Sequence, residues 1–255
     1  MDAMLSLSHV SFSYHTLEGE TLALHDVSFS VGFGEFAAIV GPSGCGKSTL
    51  LSLICGLIRP ESGEIKLAGG QTDGSSTGIG YMLQRDHLFE WRTVYDNVLL
   101  GLEIQKKLTP ENRSRVDRML EIYGLSAFAK MKPSALSGGM KQRAALIRTL
   151  ALDPELLLLD EPFSALDYQT RLEVADDIGM IIRREGKTAV LVTHDLSEAI
   201  SMADRVIVLS KRPGHVKSII PVSFPAAYDT PLKKRNAEEF SHYFNLIWKE
   251  LKQYG

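Results

Sequence analysis

Nine residues constrain this chain more than any others. Gly41-Pro42-Ser43-Gly44-Cys45-Gly46-Lys47-Ser48-Thr49 follows an apolar strand, Ala37 to Val40, and opens a helix at Leu50. That is the strand–loop–helix context in which G-x-x-x-x-G-K-[ST] forms a phosphate cradle. The glycines let the backbone turn tightly, so that successive N–H groups converge on phosphate oxygens. The helix N-terminus adds partial positive charge. Lys47 is placed to neutralise β- and γ-phosphates and Ser48 to ligate Mg²⁺, with Ser43, Cys45 and Thr49 completing the loop. Cys45 reads as a small residue filling the turn; if exposed, its thiol would be open to modification.

Such a loop requires an α/β fold, and the remaining pattern agrees. Strand-like runs occur at Leu5 to Phe12, Leu22 to Val31, Phe36 to Val40, Glu64 to Leu67, Ile79 to Leu83, Leu156 to Leu159, Thr188 to Val192, Val206 to Leu209 and Val216 to Ile220. Helical periodicity covers 47–58, 94–107, 111–123, 139–152, 168–184, 196–203 and 236–252. Strands that alternate with helices imply a mainly parallel sheet covered on both faces. The first strands lack intervening helices and should form a small antiparallel sheet. Residues 86–145 read as an inserted helical lobe. The pattern therefore predicts one nucleotide-binding domain over 1–225 and a helical tail over 226–255. In that tail Phe240, Tyr243, Phe244, Ile247, Trp248 and Leu251 recur at helical spacing, which fits a packing face or a partner surface.

The second half of the site is Leu156-Leu157-Leu158-Leu159-Asp160-Glu161-Pro162. Four consecutive leucines fit a strand buried on both faces. The two carboxylates then fall at the carboxyl edge of the sheet, where open α/β folds bind ligands. Asp160 would orient Mg²⁺ or its water, and Glu161 would take a proton from attacking water, a role worth ~10²–10⁴ in rate. A second helix start follows Leu136-Ser137-Gly138-Gly139-Met140, where Ser137 and two glycines make another anion-binding terminus.

These segments, taken together and in this order, resemble the nucleotide-binding subunit of ATP-binding-cassette (ABC) transporters. The segment 136–140 matches the LSGGQ-type signature, with Met140 in place of the usual Gln. The resemblance assigns further residues. Gln84, after the strand Ile79 to Leu83, matches the glutamine that senses Mg²⁺ and water. Ser164-Ala165-Leu166-Asp167 matches the loop that crosses between two cassettes, His194 the switch histidine at the γ-phosphate, and Tyr14 the aromatic that stacks on adenine. It implies ATP and Mg²⁺ as cofactors and a head-to-tail homodimer. In that dimer Ser137, Gly138, Gly139 and Asp167 serve the partner's nucleotide. The run Gln84 to Val98 and the segment Asp160 to Asp167 are similar to the nitrate/sulfonate/taurine import subfamily, although Glu90 stands where that subfamily has Pro. The subfamily implies integral-membrane permease subunits, an extracytoplasmic binding protein that chooses the solute, and a peripheral place on the cytoplasmic face of the membrane.

Composition narrows the alternatives. A net charge of −3 argues against a general nucleic-acid binder, although residues 211–255 carry eight Lys/Arg against four Asp/Glu. That basic excess fits a solvated helix or contact with an anionic surface. Cys45 and Cys55 form neither a disulfide framework nor a metal site, which fits a reducing compartment. No apolar run approaches the ~18 residues of a membrane span, and the start Met1-Asp2-Ala3 lacks the marks of a secretion signal. A soluble ABC ATPase and a non-hydrolysing clamp stand as the competing readings. Lys47 and Ser137 are only 90 residues apart, which leaves no room for the long coiled coil of repair proteins. The presence of both Glu161 and His194 speaks against a clamp.

Overall fold

The computed structural model describes residues 3–17, 19–68, 70–71 and 78–252, so the first two and last three residues lie outside the described part. Its centre is a six-stranded sheet in the order β10-β9-β3-β8-β7-β6, formed by β3 (Phe36–Val40), β6 (Ile79–Met82), β7 (Leu156–Asp160), β8 (Thr188–Val192), β9 (Arg205–Leu209) and β10 (Val216–Pro221). All neighbours pair in parallel except β9 with β10, which are antiparallel. A second sheet, entirely antiparallel, runs β2-β1-β4-β5 from β1 (Leu5–Thr16), β2 (Gly19–Val31), β4 (Ser62–Leu67) and β5 (Gly70–Gln71).

The leucine run of β7 shows why the parallel strands read as unbroken apolar segments. Leu157 and Leu159 join one buried cluster with Phe36, Ala38, Val40 and the larger helices. Leu156 and Leu158 join another, with the antiparallel sheet and helix α1 (Lys47–Ile54). Successive side chains point to opposite faces, and both faces are covered. On the first face lie α2 (Val94–Ile104), α3 (Pro110–Ile122), α4 (Gly138–Leu150), α5 (Tyr168–Arg184) and α6 (Leu196–Met202).

Three differences from the sequence pattern have local causes. Helix α1 stops at Ile54, short of residue 58, because Gly56 takes φ 69 and Leu57 N–H bonds back to Ser52 O at 2.9 Å, which closes the helix C-terminus. The helical lobe begins at Val94 instead of residue 86, and residues 83–93 are irregular. That stretch is pinned by Asn97, fully buried, which accepts from Phe89 N–H at 2.6 Å and donates to Phe89 O and Thr93 O at 3.0 and 2.9 Å. Arg148 adds bonds to His87 O and Asp86 O. The lobe is also continuous with the main core, since Val94, Val98, Leu102 and Val116 belong to the same cluster as β7.

Beyond residue 225 come α7 (Pro231–Lys234), which periodicity did not reveal, and α8 (Glu238–Lys252). Ile247 of α8 is fully buried in the main cluster, and Phe240, Tyr243, Phe244 and Leu251 pack against it. Trp248 is left half-exposed, stacked on Phe244. Among the described residues no helix is long and apolar enough to cross a membrane.

Candidate active site

The parallel strands deliver their loops to one edge of the sheet. After β3 the chain enters the 41–49 loop. Gly46 caps α1 with φ 105, and a Cβ there would lie 2.6 Å from Leu24 Cδ2, so this position takes glycine for both conformation and space. The Lys47 side chain is buried and its ammonium donates to Gly41 O at 2.8 Å and Pro42 O at 3.1 Å. The Cys45 thiol turns inward and is buried among apolar residues; burial pushes its pKa up, which makes it inert and removes the modification reading. The Cys45 N–H bonds to Pro42 O.

A cavity of about 410 Å³ opens over this loop. Ser43, Gly44, Gly46, Lys47, Ser48 and Thr49 form its floor, and Glu161, His194 and Arg212 complete its walls. Glu161 follows β7 with φ 44, an unusual backbone state for a non-glycine residue, held by its N–H bonding to Val192 O at 2.8 Å. Its Oε2 lies 3.2 Å from His194 Nδ1, which follows β8. Asp160 sits behind, accepting from the Tyr81 hydroxyl at 3.1 Å. Burial pushes the Asp160 carboxyl above its usual range, while Tyr81 and Lys47 pull it down and neighbouring Glu161 pushes it up.

Two further predicted residues reach the site through hydrogen bonds. Tyr14 Oη lies 3.1 Å from Thr49 Oγ1, with its ring edge-on to Phe12 and partly open to solvent. Gln84 donates to Ser164 Oγ at 3.2 Å, and Ser164 donates to the Glu161 backbone O at 2.9 Å, so the chain after β6 is tied to the backbone that presents Glu161. Ser137, Gly138, Gly139 and Asp167 do not line the cavity. Ser137 is the exposed N-cap of α4 and Asp167 the exposed N-cap of α5. Cβ atoms on Gly138 and Gly139 would lie 2.8 Å from Leu166 Cδ2 and 2.7 Å from Val174 Cγ2. These glycines thus let α4 approach the 164–167 loop and α5 closely. Met140, partly buried against the main cluster, is accommodated without disturbing the Ser137 cap.

The family model for the ABC transporter matches residues 24–164. Over 98% of its length the chain is 45% identical to the uncharacterized ABC transporter ATP-binding protein YtlC of Bacillus subtilis, covering 96% of that protein. The chain belongs to the ABC transporter family. It is an ATP-binding subunit of that family and an ABC-type ATPase. It is also 42% identical over 209 residues to the taurine import ATP-binding protein TauB of Pelagibacter ubique, which covers 82% of this chain and 79% of TauB. The fold matches the dimeric post-hydrolysis structure of the ATP-binding cassette MJ0796 bound to ADP and Pi. There the TM-score is 0.73 and the identity 32%, with 87% of this chain and 100% of that one covered.

One cavity residue escaped the sequence reading of this ABC subunit. Arg212, from the turn between β9 and β10, donates from Nε to Gly44 O at 3.2 Å. A second missed feature is Arg171, which donates to Leu166 O at 3.0 Å and lies 3.6 Å from Asp195 Oδ2. It bridges the 164–167 loop to the residue after His194.

Proposed function

We propose that this chain is the energy-coupling ATPase of a bacterial importer for a small solute of the nitrate, sulfonate or taurine type. The observation that carries the reading is the single cavity in which the phosphate loop with Lys47 faces Glu161 and His194. Lys47 neutralises the β- and γ-phosphates, with Gly41, Ser43, Gly44, Gly46, Thr49 and the Cys45 backbone shaping the loop around them. Tyr14 stacks on adenine. Water attacks the γ-phosphorus as Glu161 takes its proton, an O–P bond forms, and the bond to the β-phosphate oxygen breaks to release ADP. His194, whose Nδ1 lies 3.2 Å from Glu161 Oε2, stabilises the charge on the γ-phosphate.

The oxygen donors of Ser48, Asp160 and Gln84 suit a hard divalent ion, and the half-buried Asp160 beside Lys47 and Glu161 is a carboxylate whose burial a cation would offset. These residues would hold Mg²⁺, which when bound supplies charge neutralisation at the phosphates. Two copies assemble head to tail, so that the exposed helix start at Ser137, with Gly138 and Gly139, completes the partner's nucleotide site and Asp167 crosses between them. Permease subunits dock on the segment 85–94, which keeps the chain on the cytoplasmic face of the membrane; the extracytoplasmic binding protein is reached only through them. Trp91 supports this, being 72% exposed and stacked on Phe89 at 4.6 Å on the pinned loop, so it is not lobe core.

Glu161→Gln tests the chemistry. The variant should bind ATP and turn it over at least ~10²-fold more slowly. Near-normal steady-state turnover in the purified variant would refute the assignment.

A further inference from the structure

We propose that Arg212 is a second cationic ligand for the nucleotide's terminal phosphates, delivered by the β9–β10 turn. This rests on the reading of the 41–49 loop as the nucleotide cradle and adds a residue to it. Four parallel strands already send residues to the cavity edge: β3 the loop, β6 Gln84, β7 Glu161 and β8 His194. Strand β9 is the fifth, and its carboxyl end leads directly into Ser210-Lys211-Arg212-Pro213-Gly214. Ligands of open α/β sheets collect at this edge, so a charged residue here faces the site by topology.

The turn is anchored on the phosphate loop. Gly214 N–H bonds to Ala23 O and His25 N–H to Gly214 O, each at 2.9 Å, which stitches the turn to β2. A Cβ on Gly214 would lie 2.1 Å from Cys45 O, so the two backbones touch at a point only glycine permits. Inside the turn the Ser210 hydroxyl meets Lys211 O at 2.8 Å and Pro213 O at 3.1 Å, and accepts from His215 N–H at 2.9 Å. Arg212 is therefore presented by a fixed frame.

Its chemistry suits phosphate. Nε is committed to Gly44 O, which orients the guanidinium along the loop and leaves the terminal amino groups for a ligand. Among the described residues no carboxylate within salt-bridge distance neutralises it. Lys47 and Arg212 are the cationic side chains of the cavity, set against Glu161. A planar guanidinium can grip two phosphate oxygens at once, which the point charge of Lys47 cannot. Gly44 precedes Lys47 in the loop, whereas Tyr14 is joined to Thr49, which follows it, so we assign the contact to the terminal phosphates and not to the adenosine end.

The experiment compares full-length wild type with Arg212→Ala, Arg212→Lys and Lys47→Ala. Binding of a non-hydrolysable β,γ-imido ATP analogue and of AMP is measured by competition against a fluorescent nucleotide, at a protein concentration where the chain is monomeric. Arg212→Ala should weaken the triphosphate analogue ~10- to 100-fold and AMP less than about twofold. Arg212→Lys should recover part of the loss, and thermal unfolding without nucleotide should be unchanged. Wild-type affinity in Arg212→Ala beside a loss in Lys47→Ala overturns the Arg212 assignment alone. Wild-type affinity in Lys47→Ala overturns the cradle reading and the assignment with it. Equal losses for the analogue and AMP would mean that Arg212 acts through the shape of the loop. A loss seen only when the protein dimerises would place it against a second copy. Either result rejects phosphate contact.

Discussion

Replacing Glu198 with Gln should stabilise this protein in a strongly pH-dependent way. Glu198 lies on α6, is 3% exposed, and accepts the Thr193 hydroxyl at 2.6 Å. Burial pushes its carboxyl up to about 7 from an ordinary 4.5; Asp195 adds to the rise, while the Thr193 hydrogen bond and the Arg171 and Arg235 charges oppose it. The folded state thus holds a proton that the unfolded chain releases between about pH 4.5 and 7. Stability is fullest below the unfolded value and falls as pH rises through the folded one. Above pH ~7 the fold carries a charged carboxylate at a cost of about 3 kcal/mol, from 1.36 kcal/mol per pH unit.

Glutamine keeps an oxygen for Thr193 and cannot ionise. In urea denaturation at pH 5 and pH 8, the stability gained by Glu198→Gln should therefore be larger at pH 8 by about 2–3 kcal/mol. Equal differences at the two pH values would show that Glu198 is not protonated in the fold. The outcome bears on the site as well. Thr193 Oγ1 also accepts from Asp195 N–H at 3.0 Å, so the Glu198 carboxyl sits beneath the backbone that presents His194.

Two other perturbations separate positioning from binding. Arg171→Ala removes the bridge from Leu166 O to Asp195; kcat should fall several-fold with nucleotide affinity unchanged, and Arg171→Lys should restore part of it. A change in affinity with kcat intact would contradict this. Trp91→Ala, at an exposed position, should leave folding stability within about 0.5 kcal/mol while lowering co-purification with the permease; undiminished co-purification would remove the docking surface.

Why some of the site was legible in the amino-acid order and some was not follows from how far each contact reaches. The 41–49 loop and the Leu156–Glu161 run are local: each is a strand with its own terminal residues, and β3 and β7 occupy the places their apolar runs imply. The antiparallel pairing of β1 with β2 was legible for the same reason, since they follow one another without a helix, whereas β3 leaves for the parallel sheet and β4 joins the antiparallel one only after α1. Gly56 could have been read as a helix stop, because a glycine just past an amphipathic run is the usual C-terminal signal. The irregular 83–93 stretch could not, because Asn97 holds it from within a helix that begins later. Residues at other strand ends depended on pattern matching: nothing near Gln84 in the chain shows that it meets Ser164, eighty residues on. Arg212 lay furthest from sight. Its contact with Gly44 spans 168 residues and requires β9 to pair beside β3, with Gly214 then pressed against Cys45. One signal was available. In a sheet whose parallel strands end at one edge, an Arg-Pro-Gly turn shortly after an apolar strand of that set sits where Gly41, Glu161 and His194 sit, and the same topological rule that located those residues applies to it.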